Sequence, residues 1–576
     1  MVAIGDVRRW APSGLESLGW LLGDRVATLV GLQDELDATV TPERWVGLAA
    51  DAAHHRRGEI SEALRRIVAQ ARAVRTATGM AGDSVTAVQH ALRETDDLAA
   101  AHYFRVGDDG VVRDVAPAGL HLDEHAAADR DRMHGELEHR VAQVLRSATD
   151  ADGDLARVLR AAGNDEIDDG AGTTLTAAML TGMVQGNDQD TLLPPQGGTP
   201  ADANAYWTSL SAAQRSEMLA EHPELIGNLD GIPADVRDGA NRFRLPSEIA
   251  RVQTELAAAL AAHDRLASHT STDVAVDSSL SSNVALSEDR LASLYAVARI
   301  GRARQLLVLD TTGEMVRAAV AVGDVDTADH VAVHVPGMGT TVQDSLERTD
   351  GEMRDLRAQT QDQLRRAGRD DESVAVVTWI GYQAPGWGSF IDDADLSDTA
   401  ATDGVAKGTA PVLSRFLIGI DASRVSDPDL TTLAHSYGST VAGYALQEAT
   451  GVDNAVFYGS PGLGTSDVDD LGVPAGHVYV EEADWDPVAD LARFGDDPNQ
   501  LPGVTGLSTD AGTSPDGVER GDATGHSEYT KDQSMAQYNM AVVVGGLPDL
   551  VVRGSGFGLG DVNNWTLGNQ IRRWLD

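Results

Sequence analysis

After Arg302 the hydrophobic rhythm of the chain changes, and this change limits the possible folds more than any other feature. The stretch RQLLVLDTTGEMVRAAVAVG, beginning at Arg304, reads as a strand, a turn at Thr312-Gly313 and a second strand. Short, nearly continuous apolar runs follow in HVAVHVPG, SVAVVTWIGY, TLAHS, NAVFYGSPG and HVYVEEADWDP. Such runs fit strands covered on both faces, because a half-exposed strand would alternate apolar and polar residues. The segments between them, such as TTVQDSLERTDGEMRDLRAQTQDQLRRAG and STVAGYALQEATG, are helical by length and composition. Strand alternating with helix specifies an α/β fold, a mostly parallel sheet with helices on both faces.

Upstream, the texture is helical. Residues from about 12 to 100 read as two long amphipathic helices, the first opened by Leu15, Leu18, Leu21 and Leu22 at helical spacing. Thr41 and Pro42 supply an N-cap and first-turn residue for the second. Gly, Pro, Asn and Asp cluster in DEIDDGAGTT and VQGNDQDTLLPPQGGTPADAN, which predicts a linker and a boundary near residue 200. A chain of 576 residues accommodates several units at about 150 residues each. The expected division is a helical hairpin over 1–110, a helical region and linker over 111–200, a helical connector over 201–300 that packs on the sheet domain, and the α/β domain over 301–576.

Within the sheet domain, Ser436 sits between a short apolar strand, Leu430 to Ala434, and a helix beginning near Tyr437. A nucleophile at such a corner needs small neighbours two before and two after, to let strand and helix approach; Ala434 and Gly438 supply them. An N-cap serine, the alternative, makes no such demand on both sides. A serine hydroxyl also needs a base, and the base needs a carboxylate that fixes its tautomer. In this fold the acid and then the histidine follow the serine in chain order. The loop after the strand HVYVE carries Asp484 and Asp486, and the Asp-Pro-Val turn favours Asp486, with Asp484 the second choice. Only His477 and His526 lie downstream of Ser436. His477 begins a strand and so belongs at the far edge of the sheet, which leaves His526, in the polar loop DATGHSEYTKD, as general base and acid.

Two backbone donors complete such a site by stabilising the oxyanion. One is the amide of Tyr437; the other is the Met338 or Gly339 amide in VAVHVPGMGTTV, where Gly337 and Gly339 free the backbone. This glycine loop lacks the Gly-Lys-Ser/Thr ending of a phosphate-binding loop. Trp379, Tyr382 and Trp387, at the end of the next strand, are candidates to line a substrate pocket, and the polar stretch from Ile391 to Gly408 is a candidate lid.

Composition narrows the substrates and partners. The 89 acidic and 45 basic residues give a net charge of −44, spread without blocks, which disfavours a polynucleotide substrate. Without cysteine, the chain has no disulfide, thiolate metal site or cysteine nucleophile; neither a cofactor nor a metal is expected. No Sec-type signal and no transmembrane segment is read in the sequence.

Taken together, NLDGIPADVRDGANR, HVPGMGT, WIGYQAP, AHSYGST, FYGSPG and GHSEY resemble an α/β-hydrolase family of high-GC Gram-positive bacteria long catalogued only as a domain of unknown function. The resemblance covers residues from about 200 to the end. It implies an α/β-hydrolase fold and a Ser-Asp-His triad that maps onto Ser436, Asp486 and His526, and it implies no substrate. Ala434 stands where a glycine is commoner. Trp45-Val46-Gly47, at the bend of the helical hairpin, resembles the WxG proteins of type VII secretion. That resemblance implies a small helical partner and export by a type VII-like route as the alternative to a cytoplasmic location. The expected Tyr-x-x-x-Asp/Glu tail signal is not matched, since Asp108 falls one residue too far from Tyr103. The function expected is a serine hydrolase acting on a small-molecule or lipid ester, with a secreted or surface interaction protein as the alternative. A peptidase or thioesterase would use the same three residues.

Overall fold

The computed structural model describes residues 2–38, 47–117, 124–170, 174–187, 193–195, 197–267, 274–384, 400–424, 426–489 and 493–554. The chain forms two compact units, one of Met1–Leu122 with Arg130–Ala220, the other of Asp123–Asp129 with Glu221–Asp576.

The first unit is helical. It contains α1 (Ile4–Arg9), α2 (Pro12–Ala38), α3 (Leu48–Ala101), the antiparallel hairpin β1 (Phe104–Val106) and β2 (Val112–Asp114), α4 (Glu124–Gly163), α5 (Leu175–Gly186), α6 (Pro200–Ser209) and α7 (Ala212–Glu221). Helices α3 and α5 pack with their backbones close. A Cβ on Gly182 would lie 2.2 Å from the Ala69 carbonyl oxygen, and one on Gly186 2.3 Å from that of Ala73. Trp45 and Val46 lie outside the described residues, while Gly47 caps α3 with φ 105°. The unit continues to Ala220, beyond the boundary expected near 200. The reason is local: Thr199 and Asp202 form a capping box, and Tyr206, Trp207 and Leu210 are buried. The Pro- and Gly-rich run before them is therefore the lead-in to a packed helix.

The second unit holds α8 (Pro223–Ile226), α9 (Ala234–Ala267), α10 (Val274–Ile300), β3 (Gln305–Asp310), β4 (Arg317–Val322), β5 (His330–Val335), α11 (Val342–Arg366), β6 (Val374–Ile380), α12 (Ala400–Ala422), β7 (Asp429–His435), α13 (Tyr437–Ala445), β8 (Asn454–Tyr458), β9 (Val478–Glu481), β10 (Thr505–Leu507), the small hairpin β11 (Gly512–Thr513) and β12 (Glu519–Arg520), and α14 (Met535–Val544). The sheet runs β10-β9-β8-β7-β5-β6-β4-β3. Strands β5 to β10 pair in parallel, and β4 is antiparallel to both β6 and β3. One face of the sheet is covered by α12 and α13 through Leu413, Phe416 and Val441, and the other by α11 and α14 through Met353, Leu356, Ala536 and Met540. Helices α9 and α10 pack Leu245, Val252, Leu294 and Val297 on β3 and β4. The outer edge of β3 is closed by a side chain, since Asn228 accepts from Leu309 N–H (2.8 Å) and donates to Leu309 C=O (2.9 Å). An edge paired in this way is not open to another strand.

Parallel pairing brings strand ends together. Because Val335 is in register with Ala434, and His435 with Tyr458, the loops that follow β5, β7 and β8 converge on one edge of the sheet.

Candidate active site

The chain turns sharply between β7 and α13. Ser436, the residue at the turn, has φ 54° and ψ −132°, a left-handed backbone that non-glycine residues seldom adopt. Its N–H donates to the Tyr458 carbonyl (3.0 Å) and ties the corner to β8. Ser439 Oγ donates to the Ser436 carbonyl (2.5 Å) and lies 2.6 Å from Ser460 Oγ. The small residues around the corner are sterically required. A Cβ on Gly438 would lie 2.4 Å from the Val335 oxygen, and one on Gly337 would lie 2.6 Å from Ser436 Cβ.

Three side chains meet here from separate segments. His526 Nε2 is 2.8 Å from Ser436 Oγ, and His526 Nδ1 is 2.9 and 3.0 Å from the two Asp486 carboxylate oxygens. All three are buried, at 1%, 3% and 2% exposure for Ser436, His526 and Asp486. Asp484 is placed differently: its carbonyl accepts from Gly525 N–H (2.7 Å), and the next residue, Trp485, has φ 63°. That left-handed turn reverses the chain just before Asp486. His477 lies at the start of β9, where its Nδ1 is 2.8 Å from Asn454 Oδ1, at the sheet edge away from Ser436.

Asp486 is surrounded by donors. Besides His526 it accepts from Tyr529 OH (2.6 Å) and from the N–H groups of Val488 (3.0 Å) and Ala489 (3.4 Å). Burial acts to raise its pKa, but the hydrogen bond and charge of His526, with the Tyr529 and Val488 bonds, outweigh burial and hold the carboxyl below its usual range. Tyr529 in turn accepts from Ala483 N–H (2.9 Å). Burial and the neighbouring Asp486 charge keep its phenol well above the usual pKa, hence a donor. His435 packs its ring 4.7 Å from that of His526 and donates Nε2–H to the His526 carbonyl (2.8 Å). Burial, with a smaller effect of His526, pushes its pKa down to about 3, so His435 stays neutral.

Tyr529, His435 and Gly459 were not singled out by sequence reasoning. Gly459 has φ 56°, and a Cβ there would lie 2.8 Å from Asp486 Oδ2 and 3.1 Å from His526 Nδ1. The available signals were the glycine ending the FYG run and the tyrosine of GHSEY.

The loop after β5 carries Met338 and Gly339, the latter at φ 69°, and both line the cavity that contains Ser436 and His526. Tyr437, the first residue of α13, follows Ser436 directly. Trp379 and Tyr382 do not line this cavity. They are core residues, stacked with ring centroids 6.2 Å apart, and Tyr382 OH donates to the Pro336 carbonyl (2.7 Å), which braces the Met338 loop from beneath. The periodicity of β6 places Trp379 at a strand end, but its ring faces Phe416 in the core. Trp387 lies outside the described residues, as does the part of the candidate lid before Ala400.

A strand order with one antiparallel member near the edge, and a serine at a strand-to-helix corner facing an acid and a histidine from later loops, define the alpha/beta hydrolase class. Comparison with known sequences agrees: residues 311–496 match an alpha/beta hydrolase family. Uncharacterized proteins of Mycobacterium bovis and Mycobacterium tuberculosis are each 35% identical over 238 residues, which cover 39% of this chain and 86% of the relative. Another uncharacterized Mycobacterium tuberculosis protein is 27% identical over 362 residues, 56% of this chain and 50% of the relative. The chain belongs to this alpha/beta hydrolase family.

One buried acid beside the site has no catalytic position. Glu481, the last residue of β9, is wholly buried, and neither carboxylate oxygen has a hydrogen-bond partner among the described residues. Burial raises its pKa well above the usual value. The folded state therefore holds a proton that the unfolded chain releases near pH 4.5. Stability contributed by the neutral acid is complete below that pH and is lost as pH rises toward the folded value, by up to about 1.4 kcal/mol per unit. Glu481→Gln removes the titration. We expect its melting temperature to fall less than that of wild type between pH 5 and pH 8; parallel curves would show that Glu481 does not titrate in this way.

Proposed function

We propose that the protein is a serine hydrolase that cleaves a carboxylic ester through an acyl-enzyme on Ser436. The observation that carries this reading is the continuous hydrogen-bonded line from Ser436 Oγ through His526 to Asp486. In the first step His526 Nε2 takes the serine proton as Oγ attacks the ester carbonyl carbon and the carbonyl π electrons move to oxygen. The oxyanion is received by the N–H of Tyr437, the residue directly after Ser436, and that of Met338 or Gly339 in the β5 loop. Collapse expels the alkoxide, which takes the proton from His526. Water then enters, loses a proton to His526, and attacks the acyl carbon. The second collapse releases the carboxylic acid and restores Ser436. Asp486 carries no proton through this cycle; it fixes Nδ1–H and stabilises the imidazolium. The test is a fluorophosphonate probe on the purified protein at neutral pH, with the adduct located by mass spectrometry. Labelling at Ser436 is expected; no labelling under conditions where a control hydrolase reacts would count against an activated serine.

The helical unit supports a second role beside the first. Trp20, on α2, is 82% exposed, and Leu21 beside it is exposed as well, an apolar surface suited to a small helical partner of the WxG kind. Export by a type VII-like route would follow from such pairing. Co-expression of the full chain with a candidate partner should give a complex that Trp20→Asp disrupts, and a complex indifferent to that change would remove this surface from consideration. Among the described residues no helix is long and apolar enough to cross a membrane.

A further inference from the structure

The cavity beside Ser436 has a volume of about 270 Å³, and its walls are unusual for an acyl pocket. One wall is the first half of α11. Ser345, Thr349 and Glu352 recur there at helical spacing, with Arg348 alongside, and all four line the cavity. The opposite wall is the loop after His526, with Ser527 and Thr530. Among the described residues Met338 supplies the one long aliphatic side chain of the lining, with Pro336 and the rings of Tyr458 and Tyr529 beside it.

The hydroxyls on these walls are unused. Thr349 is 2% exposed, and a buried helical threonine ordinarily donates to the carbonyl four residues back. Thr360 in the same helix does so, to Leu356 O (3.0 Å). No hydrogen bond engages the Thr349 hydroxyl among the described residues, nor those of Ser345, Ser527 and Thr530. At the rim, Arg348 Nη1 is 2.6 Å from Glu352 Oε1, so the charges cancel as a pair. An alkyl chain filling this space would strip water from the hydroxyls and return nothing. A polyol would give and accept hydrogen bonds with each of them, and a carboxylate beside a guanidinium offers a vicinal diol an acceptor and donors together.

We infer that the cavity binds a polyhydroxylated alcohol, of glycerol to hexose size, as the leaving group of the ester. This rests on the serine hydrolase reading above. The alcohol side is assigned because His526 must reach the leaving oxygen to return its proton, and Ser527 and Thr530 continue from His526 along the same wall. Arg348, Thr349 and Glu352 then set specificity.

Glycerol monobutyrate and ethyl butyrate share one acyl group and test this directly in the full-length protein. The wild type should show kcat/KM at least about tenfold higher for the glycerol ester, since a site built around hydroxyls discriminates strongly against an analogue without them. Thr349→Val, which keeps the shape of the side chain, should shrink that ratio, and the change Glu352→Gln at the half-buried rim should do the same if Thr349→Val folds poorly. Fluorophosphonate labelling of Ser436 in each variant reports whether the nucleophile is still assembled. Equal rates for the two esters with Ser436 labelled would overturn the polyol assignment alone. No labelling and no hydrolysis in wild type would overturn the hydrolase reading and this inference together. Ethyl glycerate outpacing ethyl butyrate, with no preference between the two butyrates, would move the polyol to the acyl side and overturn the assignment made here.

Discussion

Ser436→Ala should reduce kcat for ester hydrolysis by about 10⁵- to 10⁶-fold and abolish fluorophosphonate labelling, as removal of a triad nucleophile does. The size of the loss follows from the steps that disappear: without Oγ no acyl-enzyme forms, and His526 has no hydroxyl to deprotonate. The substitution is clean because alanine keeps the Cβ that packs against the Gly337 backbone, and the strained φ of 54° belongs to the backbone turn in either variant. The Ser436 N–H bond to Tyr458 is also untouched. Thermal melting should therefore change little while turnover collapses. A variant with more than about one percent of wild-type activity, and a normal melting curve, would mean that another group attacks the substrate.

Asp486→Asn should be the second most damaging change, lowering kcat by about 10⁴-fold with little change in KM. The carboxylate accepts from every neighbour it has: His526 Nδ1, Tyr529 OH, Val488 N–H and Ala489 N–H. An asparagine amide brings two donors of its own into this ring. With its oxygen held by the Val488 and Ala489 amides, the NH₂ group faces His526. The imidazole then accepts at Nδ1 and carries its proton on Nε2, where it meets Ser436 Oγ as a donor rather than a base. The check is kinetic and structural together: kcat and KM across pH, with melting to establish the fold. A loss below tenfold would mean that Asp486 does not set the tautomer.

Much of this architecture is written locally. Strands β5 to β9 are readable because each is buried on both faces, which leaves near-continuous apolar runs bounded by glycine or acidic loops. The corner at Ser436 is readable because close approach of strand and helix forces small residues at Ala434 and Gly438. The positions of Asp486 and His526 followed from chain order and from there being only two histidines downstream. What sequence could not supply depends on register between distant segments. Gly459 sits against Asp486 and His526 only because β8 lies between β7 and β9, and nothing local to FYG announces that neighbour. Tyr529 and His435 are similar: a tyrosine three residues past a histidine, and a histidine beside a serine, acquire roles only when three loops share one sheet edge. Trp379 and Tyr382 show the converse. Their place at a strand end was readable, but not the side to which their rings turn. The boundary at Ala220 rather than near 200 was hidden because a Pro- and Gly-rich stretch looks the same before a packed helix as in a linker.

The spacing of the three residues along the chain has a consequence during synthesis. Ser436 and His526 are 90 residues apart, so at 5–20 residues per second roughly 5–18 s separate their emergence from the ribosome. For that interval the elbow strand exists without His526. On the serine hydrolase reading proposed above, the nascent chain would be inert toward esters until the loop carrying His526 has emerged and docked beside Ser436.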